Sequence, residues 1–128
     1  MRTKIFINLP VADPTRSLAF YRALGYTHNP QLCGADGVCI LLSEEIHVMA
    51  MTHAMFKEII PPAISVTTKS ALSLSCESRQ QVIDLVAKAV AAGGSIIEEA
   101  QDHGFMYQHG FADPDGHMWG LCYMSATP

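Results

Sequence analysis

What this chain of 128 residues lacks narrows the field first. It has no basic run: 8 Lys and Arg stand against 12 Asp and Glu, for a formal net charge of −4. A surface of that sign argues against nucleic acid or an anionic membrane as partner. No apolar stretch is long enough to span a bilayer. The start, MRTKIFINLP, lacks the apolar core and small-residue cleavage site of a signal peptide, so a cytoplasmic protein is expected. The 4 cysteines, Cys33, Cys39, Cys76 and Cys122, form no C-x-x-C pair, and are expected to be reduced, small core residues rather than disulfides or zinc ligands. Charged residues are only 16% and hydrophobic ones 49%, which describes a globular chain long enough for its own core.

What is present is largely one pattern written twice. TKIFINL alternates, with Ile5, Ile7 and Leu9 on one face and Lys4, Phe6 and Asn8 on the other. A helix follows, capped by Asp13 with Pro14 in its first position, carrying Leu18, Ala19, Tyr21, Arg22 and Leu24 to a stop at Gly25. Strand-like segments come next, around 26–32, at 37–43 and at 46–51. ALSLSC (71–76) then restarts the alternation, and Ser78-x-x-Gln81 reads as a capping box for a helix that ends at Gly93-Gly94. Strands are expected at SIIEE (95–99), GFMYQHGF (104–111) and HMWGLCYM (117–124). Asp113-Pro114-Asp115-Gly116 joins the last pair as a tight turn, Pro114 presetting φ and Gly116 taking a positive one.

The order is β-α-β-β-β, twice. It predicts an α+β fold of two modules (about 1–51 and about 70–126, linker about 52–69) within one domain, 1–128. The expected shape is a pseudo-twofold, curved, open-barrel mixed sheet round a central cleft, with the helices outside; a ferredoxin-like α+β domain is the alternative. The linker contains a short amphipathic turn or helix (Met55, Phe56, Ile59, Ile60) ended by Pro61-Pro62. Gly120, in the middle of the last strand, needs a reason, since a glycine there packs nothing.

NLPVADPTRSLAFYRALGY near the start and FADPDGHMWGL near the end resemble the vicinal oxygen chelate superfamily of glyoxalases, bleomycin and fosfomycin resistance proteins and extradiol dioxygenases. Its V-x-D-x-x-x-S-x-x-F-Y-x-x-L-G-Y pattern runs from Val11 to Tyr26, and Ala100–Tyr107 is similar to a bacterial glyoxalase-like branch. The resemblance covers essentially the whole chain. It implies a divalent metal held by His, Glu or Gln from the first and last strand of each module. Carried over by residue, those positions are Asn8, Val48, Ser73 and Gly120. Valine and glycine have no donor atom, and Asn8 and Ser73 offer only neutral oxygens, so no metal and no other cofactor is expected.

The 6 histidines do not rebuild a site. An extended stretch puts His47 and His53 roughly 20 Å apart, and His47 points away from the Val48 face. Each histidine is read by default as structural. Tyr107 and His109 share a face and are acid–base candidates if that face lines the cleft; Tyr107 packing against the helices is the alternative. Phe56, with Met49 and Met51, is a candidate apolar wall.

The expected ligand-binding set is therefore Asn8, Val48, Phe56, Ser73, Tyr107, His109 and Gly120. The expected function is metal-free binding of a small molecule by a homodimer. A divergent glyoxalase-like lyase or isomerase (lactoylglutathione lyase-related), a dioxygenase-like enzyme, and a structural or regulatory dimer are the alternatives.

Overall fold

The computed structural model of the chain describes residues 2–61 and 71–125. It is an α+β protein with two four-stranded mixed sheets, neither closed, and it divides into two compact units, Met1–Thr68 and Lys69–Pro128. The later part of the expected linker, 62–69, lies outside the described residues.

In the first unit, β1 (Ile5–Val11) leads into α1 (Pro14–Ala23), then β2 (Thr27–His28), a 3-10 turn (Pro30–Leu32), β3 (Gly37–Leu41), β4 (Ile46–Thr52) and α2 (His53–Ile59). The strand order is β1-β4-β3-β2, with β1 parallel to β4 and the other pairs antiparallel. The Asp13 carboxylate accepts the Thr15 and Arg16 amides at 3.0 and 3.4 Å, and Gly25 ends the turn after α1 with φ at 105°. The buried stripe of α1 is Pro14, Ser17, Phe20 and Tyr21; Leu18 and Ala19 flank it. The helix packs on β3 and β4, over Val38, Ile40, Val48 and Ala50, all buried.

The second unit repeats the design with β5 (Ala71–Ser75), α3 (Arg79–Ala91), β6 (Gln101–Asp102), β7 (Met106–Ala112) and β8 (Met118–Met124) in the order β5-β8-β7-β6. Ser78 Oγ accepts the Gln81 amide at 3.0 Å, but Gln81 Oε1 reaches back to the Glu77 amide, one residue before the box requires. α3 buries Val82, Leu85, Val86 and Ala89 against β7 and β8.

One expected strand is displaced. SIIEE contributes a single bridge, Ser95 to Ala112, and the edge strand forms instead at Gln101–Asp102. Residues 96–100 therefore stand opposite only residues 109–111, and the edge bulges away from β7.

Among the described residues, no helix is long and apolar enough to cross a membrane, and all 4 cysteines are free.

Candidate functional site

Register decides which side chains share a face. In the second sheet Ser73 is level with Gly120, and Gly120 with Gly110. Alternation puts Met106, Gln108, Cys122 and Met118 on that same face. The other face carries Phe111, Trp119 and Leu121, each no more than 2% exposed beneath α3. The two glycines are a packing solution. A Cβ on Gly110 would lie 2.5 Å from the Trp119 carbonyl oxygen, and one on Gly120 would lie 2.7 Å from Ser73 Oγ. At this point neither Gly110 nor Gly120 puts a side chain on the sheet surface, and the Ser73 hydroxyl lies over Gly120.

A pocket of about 430 Å³ opens over it, entirely within the second unit. Ser73, Gly110 and Gly120 line its floor; Ile97, Met106 and Met118 supply apolar wall, and Gln108 an amide. Glu98 and Glu99 are the charged lining residues, with no lysine or arginine among them.

The register keeps the two acid–base candidates on one face, the α3 side: Tyr107 is level with Tyr123 and His109 with Leu121. Tyr107 lies on the α3 face, its ring under the Arg79 guanidinium at 4.5 Å, and it does not line the pocket. Arg79 also holds Asp102 at 2.6 Å, and with the Gly104 amide keeps that carboxyl below the usual carboxylate range. His109 borders the pocket from that face, with Nε2 2.8 Å from the Glu98 carbonyl oxygen across the bulge.

In the first unit the expected site needs correction at Val48. The register sets Val48 level with Ile7 and sets Asn8 level with Met49. Val48 is fully buried on the α1 side, so the residue sharing a face with Asn8 is Met49. Matching Val48 rather than Met49 to Gly120 slips the strand by one residue, and a slip of one exchanges the faces. Phe56 is also buried, at 4% exposure, in α2 against β1 and β4. His47 shares the Asn8 face, its ring tilted against Phe6 with centroids 4.8 Å apart; its Nε2 is 3.0 Å from the Glu44 carbonyl and its Nδ1 4.0 Å from Cys39 Sγ. Burial, then the neighbouring Cys33, pushes the Cys39 thiol up from its ordinary pKa.

The metal that the resemblance implied is not matched by these donors. Ser73 and Gly120 give one hydroxyl, Asn8 and Met49 an amide oxygen and a thioether, and no carboxylate or imidazole occupies these positions. Among the described residues no three His, Cys, Asp or Glu side chains are grouped as a metal site requires.

One residue that sequence reading treated only as part of a turn is Asp113, 3% exposed. Its Oδ1 accepts the Asp115 and His117 amides at 3.0 and 2.8 Å, fixing the hairpin that aims β8. A polar residue opening an Asp-Pro-Asp-Gly turn was the available signal.

Two modules, each a mixed sheet of the same strand order with one helix inserted after its first strand, define the class. The glyoxalase/bleomycin resistance protein/dioxygenase superfamily model matches residues 5–121, and the chain belongs to that family. Among solved structures, hypothetical protein SA1046 from S. aureus is 28% identical, with a TM-score of 0.76 over 96% of this chain and 94% of that one. A glyoxalase-related enzyme from Fulvimarina pelagi shares the fold at 21% identity and a TM-score of 0.81, over 96% of this chain and 88% of its own. TioX from Micromonospora sp. ML1 is 18% identical, with a TM-score of 0.63 over 98% and 99%. Comparison with curated proteins gives no match.

Proposed function

We propose that this protein binds a small organic molecule in the pocket on the open face of its second sheet, without a resident metal. The observation that carries the reading is the floor: at the two family metal positions of this module stand only Gly120 and the Ser73 hydroxyl, and with Gly110 they underlie a space of about 430 Å³. That volume lies within the range of small-molecule sites, and mostly apolar walls with a few polar groups suit such a ligand. The proposal extends to a homodimer in the cytoplasm.

A panel of neutral organic fragments, screened by thermal shift and native mass spectrometry, tests the pocket. Fragments that stabilise the wild type should lose their effect on Gly120→Leu, whose side chain fills the floor. A panel with no stabilising member, or stabilisation indifferent to Gly120→Leu in a folded variant, overturns the reading.

A further inference from the structure

The backbone bonds of β7 leave one residue over. Asp113 N donates to the His117 carbonyl at 2.8 Å and Ser125 N to the Phe105 carbonyl at 2.8 Å. These fix the alternation of the β7–β8 ladder: residues 107, 109 and 111 turn their backbone groups toward β8, and residues 106, 108, 110 and 112 turn theirs away, toward the β6 edge. On that edge Ala112 exchanges both bonds with Ser95, at 2.8 and 3.0 Å. Gln108 pairs with Gln101, and the Met106 carbonyl accepts the His103 amide at 2.8 Å. Gly110 lies between them, opposite the bulge at 96–100, and among the described residues nothing completes its N–H and C=O.

An edge residue with both main-chain groups unused is a template for a further strand segment. Here it belongs to the lining of the pocket, together with Ile97, Glu98 and Glu99 from the bulge itself. The pair is specific in a way a single donor is not: its natural complement is an N–H and a C=O spaced as in one amino-acid residue. The apolar neighbours Ile97 and Met106 suit an apolar side chain on such a ligand, and Glu98 and Glu99, with no lysine or arginine in the lining, disfavour a free carboxylate.

Resting on the small-molecule reading above, we propose that the ligand carries a neutral acylated amino-acid (peptide-like) unit, which exchanges two β-type hydrogen bonds with the Gly110 backbone. The spacing of the donor and acceptor sets the ligand class, and the absent side chain at Gly110 lets the ligand backbone approach.

The probe is N-acetyl-L-phenylalanine N-methylamide, titrated into uniformly 15N-labelled protein and followed by amide NMR. In the free protein, the Gly110 amide should exchange with solvent faster than those of His109 and Phe111, which face β8. The probe should move the Gly110 cross-peak downfield and slow its exchange. The analogue methylated on the phenylalanine nitrogen should bind at least tenfold more weakly, and so should N-acetyl-L-phenylalanine with its free carboxylate. Glu98→Gln with Glu99→Gln, an exposed pair that does not threaten folding, should recover at least threefold of the loss shown by the carboxylate. Strong protection of the Gly110 amide in the free protein, or equal binding of the N-methyl analogue, overturns the proposal. If non-amide aromatic fragments shift the pocket residues while the amide probe does not, the ligand class falls and the pocket stands. If neither kind of probe shifts any lining residue, both fall.

Discussion

Gly120 stands so close to Ser73 that a Cβ placed on it would lie 2.7 Å from the serine hydroxyl oxygen, while one on Gly110, directly opposite, would lie 2.5 Å from the Trp119 carbonyl oxygen. The obstacles differ in kind. A serine hydroxyl can rotate aside, and a strand carbonyl cannot move without its ladder. Gly110→Ala should therefore cost about 2 kcal/mol, in the range of overpacked core sites, and Gly120→Ala less than half of that. Urea unfolding of both variants, with Ser73→Ala/Gly120→Ala as the relief control, reads the difference. Equal losses would mean that the two glycines answer one common constraint.

Asp113 is buried, and its Oδ1 accepts the Asp115 and His117 amides within the turn. Asp113→Ala should destabilise by about 1–2 kcal/mol, the cost of removing the acceptor of two part-buried amides. Asp113→Asn, which keeps the accepting oxygen, should lose distinctly less. Thermal unfolding of the two variants side by side checks the order.

Much of this fold was legible because local signals agreed. Asp13, Pro14 and Gly25 bracketed α1, Ser78 and Gly93 bracketed α3, and the Asp113–Gly116 turn set the register of β7 and β8. The pairing of Ser73 with Gly120 on one face comes instead from the family resemblance, and the register agrees with it. Two errors have physical sources. Ile46–Met49 and Met118–Leu121 are both largely apolar, so alternation could not fix their mutual offset, and Val48 was set on the wrong face. Ser95–Glu99 has strand-like composition but only Ser95 pairs, since β7 is already committed at Gln108 to Gln101. The unpaired Gly110 backbone follows from that bulge, which alternation of apolar residues does not reveal.

The Arg79–Asp102 pair ties the first turn of α3 to the β6 edge. Asp102 has its pKa lowered in the folded state, first by the Arg79 hydrogen bond and then by the Gly104 amide. A depressed carboxyl adds stability that is complete above its unfolded value and is lost as pH falls through its folded value. Both side chains are about half exposed, so salt should weaken the effect. Arg79→Ala should thus lose stability at neutral pH and little at pH values where Asp102 is protonated. Denaturant midpoints across an acid series in low and high salt decide it; a loss independent of pH would assign Arg79 to packing over Tyr107 alone.

Two-residue edge strands, β2 and β6, cover only part of β3 and β7. Uncovered edges are commonly closed by a second copy. Sedimentation equilibrium at micromolar concentration should give twice the chain mass of 13.9 kDa. A single-chain mass across that range would remove the dimer from the reading.

The donors at the positions corresponding to the family metal site decide the last expectation. The second module offers the Ser73 hydroxyl beside Gly120, and the first offers Asn8 beside Met49. Divalent first-row metals need imidazole, carboxylate or thiolate to offset dehydration, and a hydroxyl, an amide oxygen and a thioether do not supply it. His47 shares the Asn8 face, but its Nε2 already meets the Glu44 carbonyl at 3.0 Å. Protein purified without chelator should carry far less than one metal per chain by elemental analysis. Titration with zinc, nickel, manganese or iron(II) should leave its melting temperature unchanged. Ser73→His with Gly120→Glu puts an imidazole and a carboxylate level on adjacent parallel strands, and should raise zinc affinity at least tenfold. Stoichiometric metal in the wild type, lost on Ser73→Ala, would instead show that this face holds an ion with donors beyond those four.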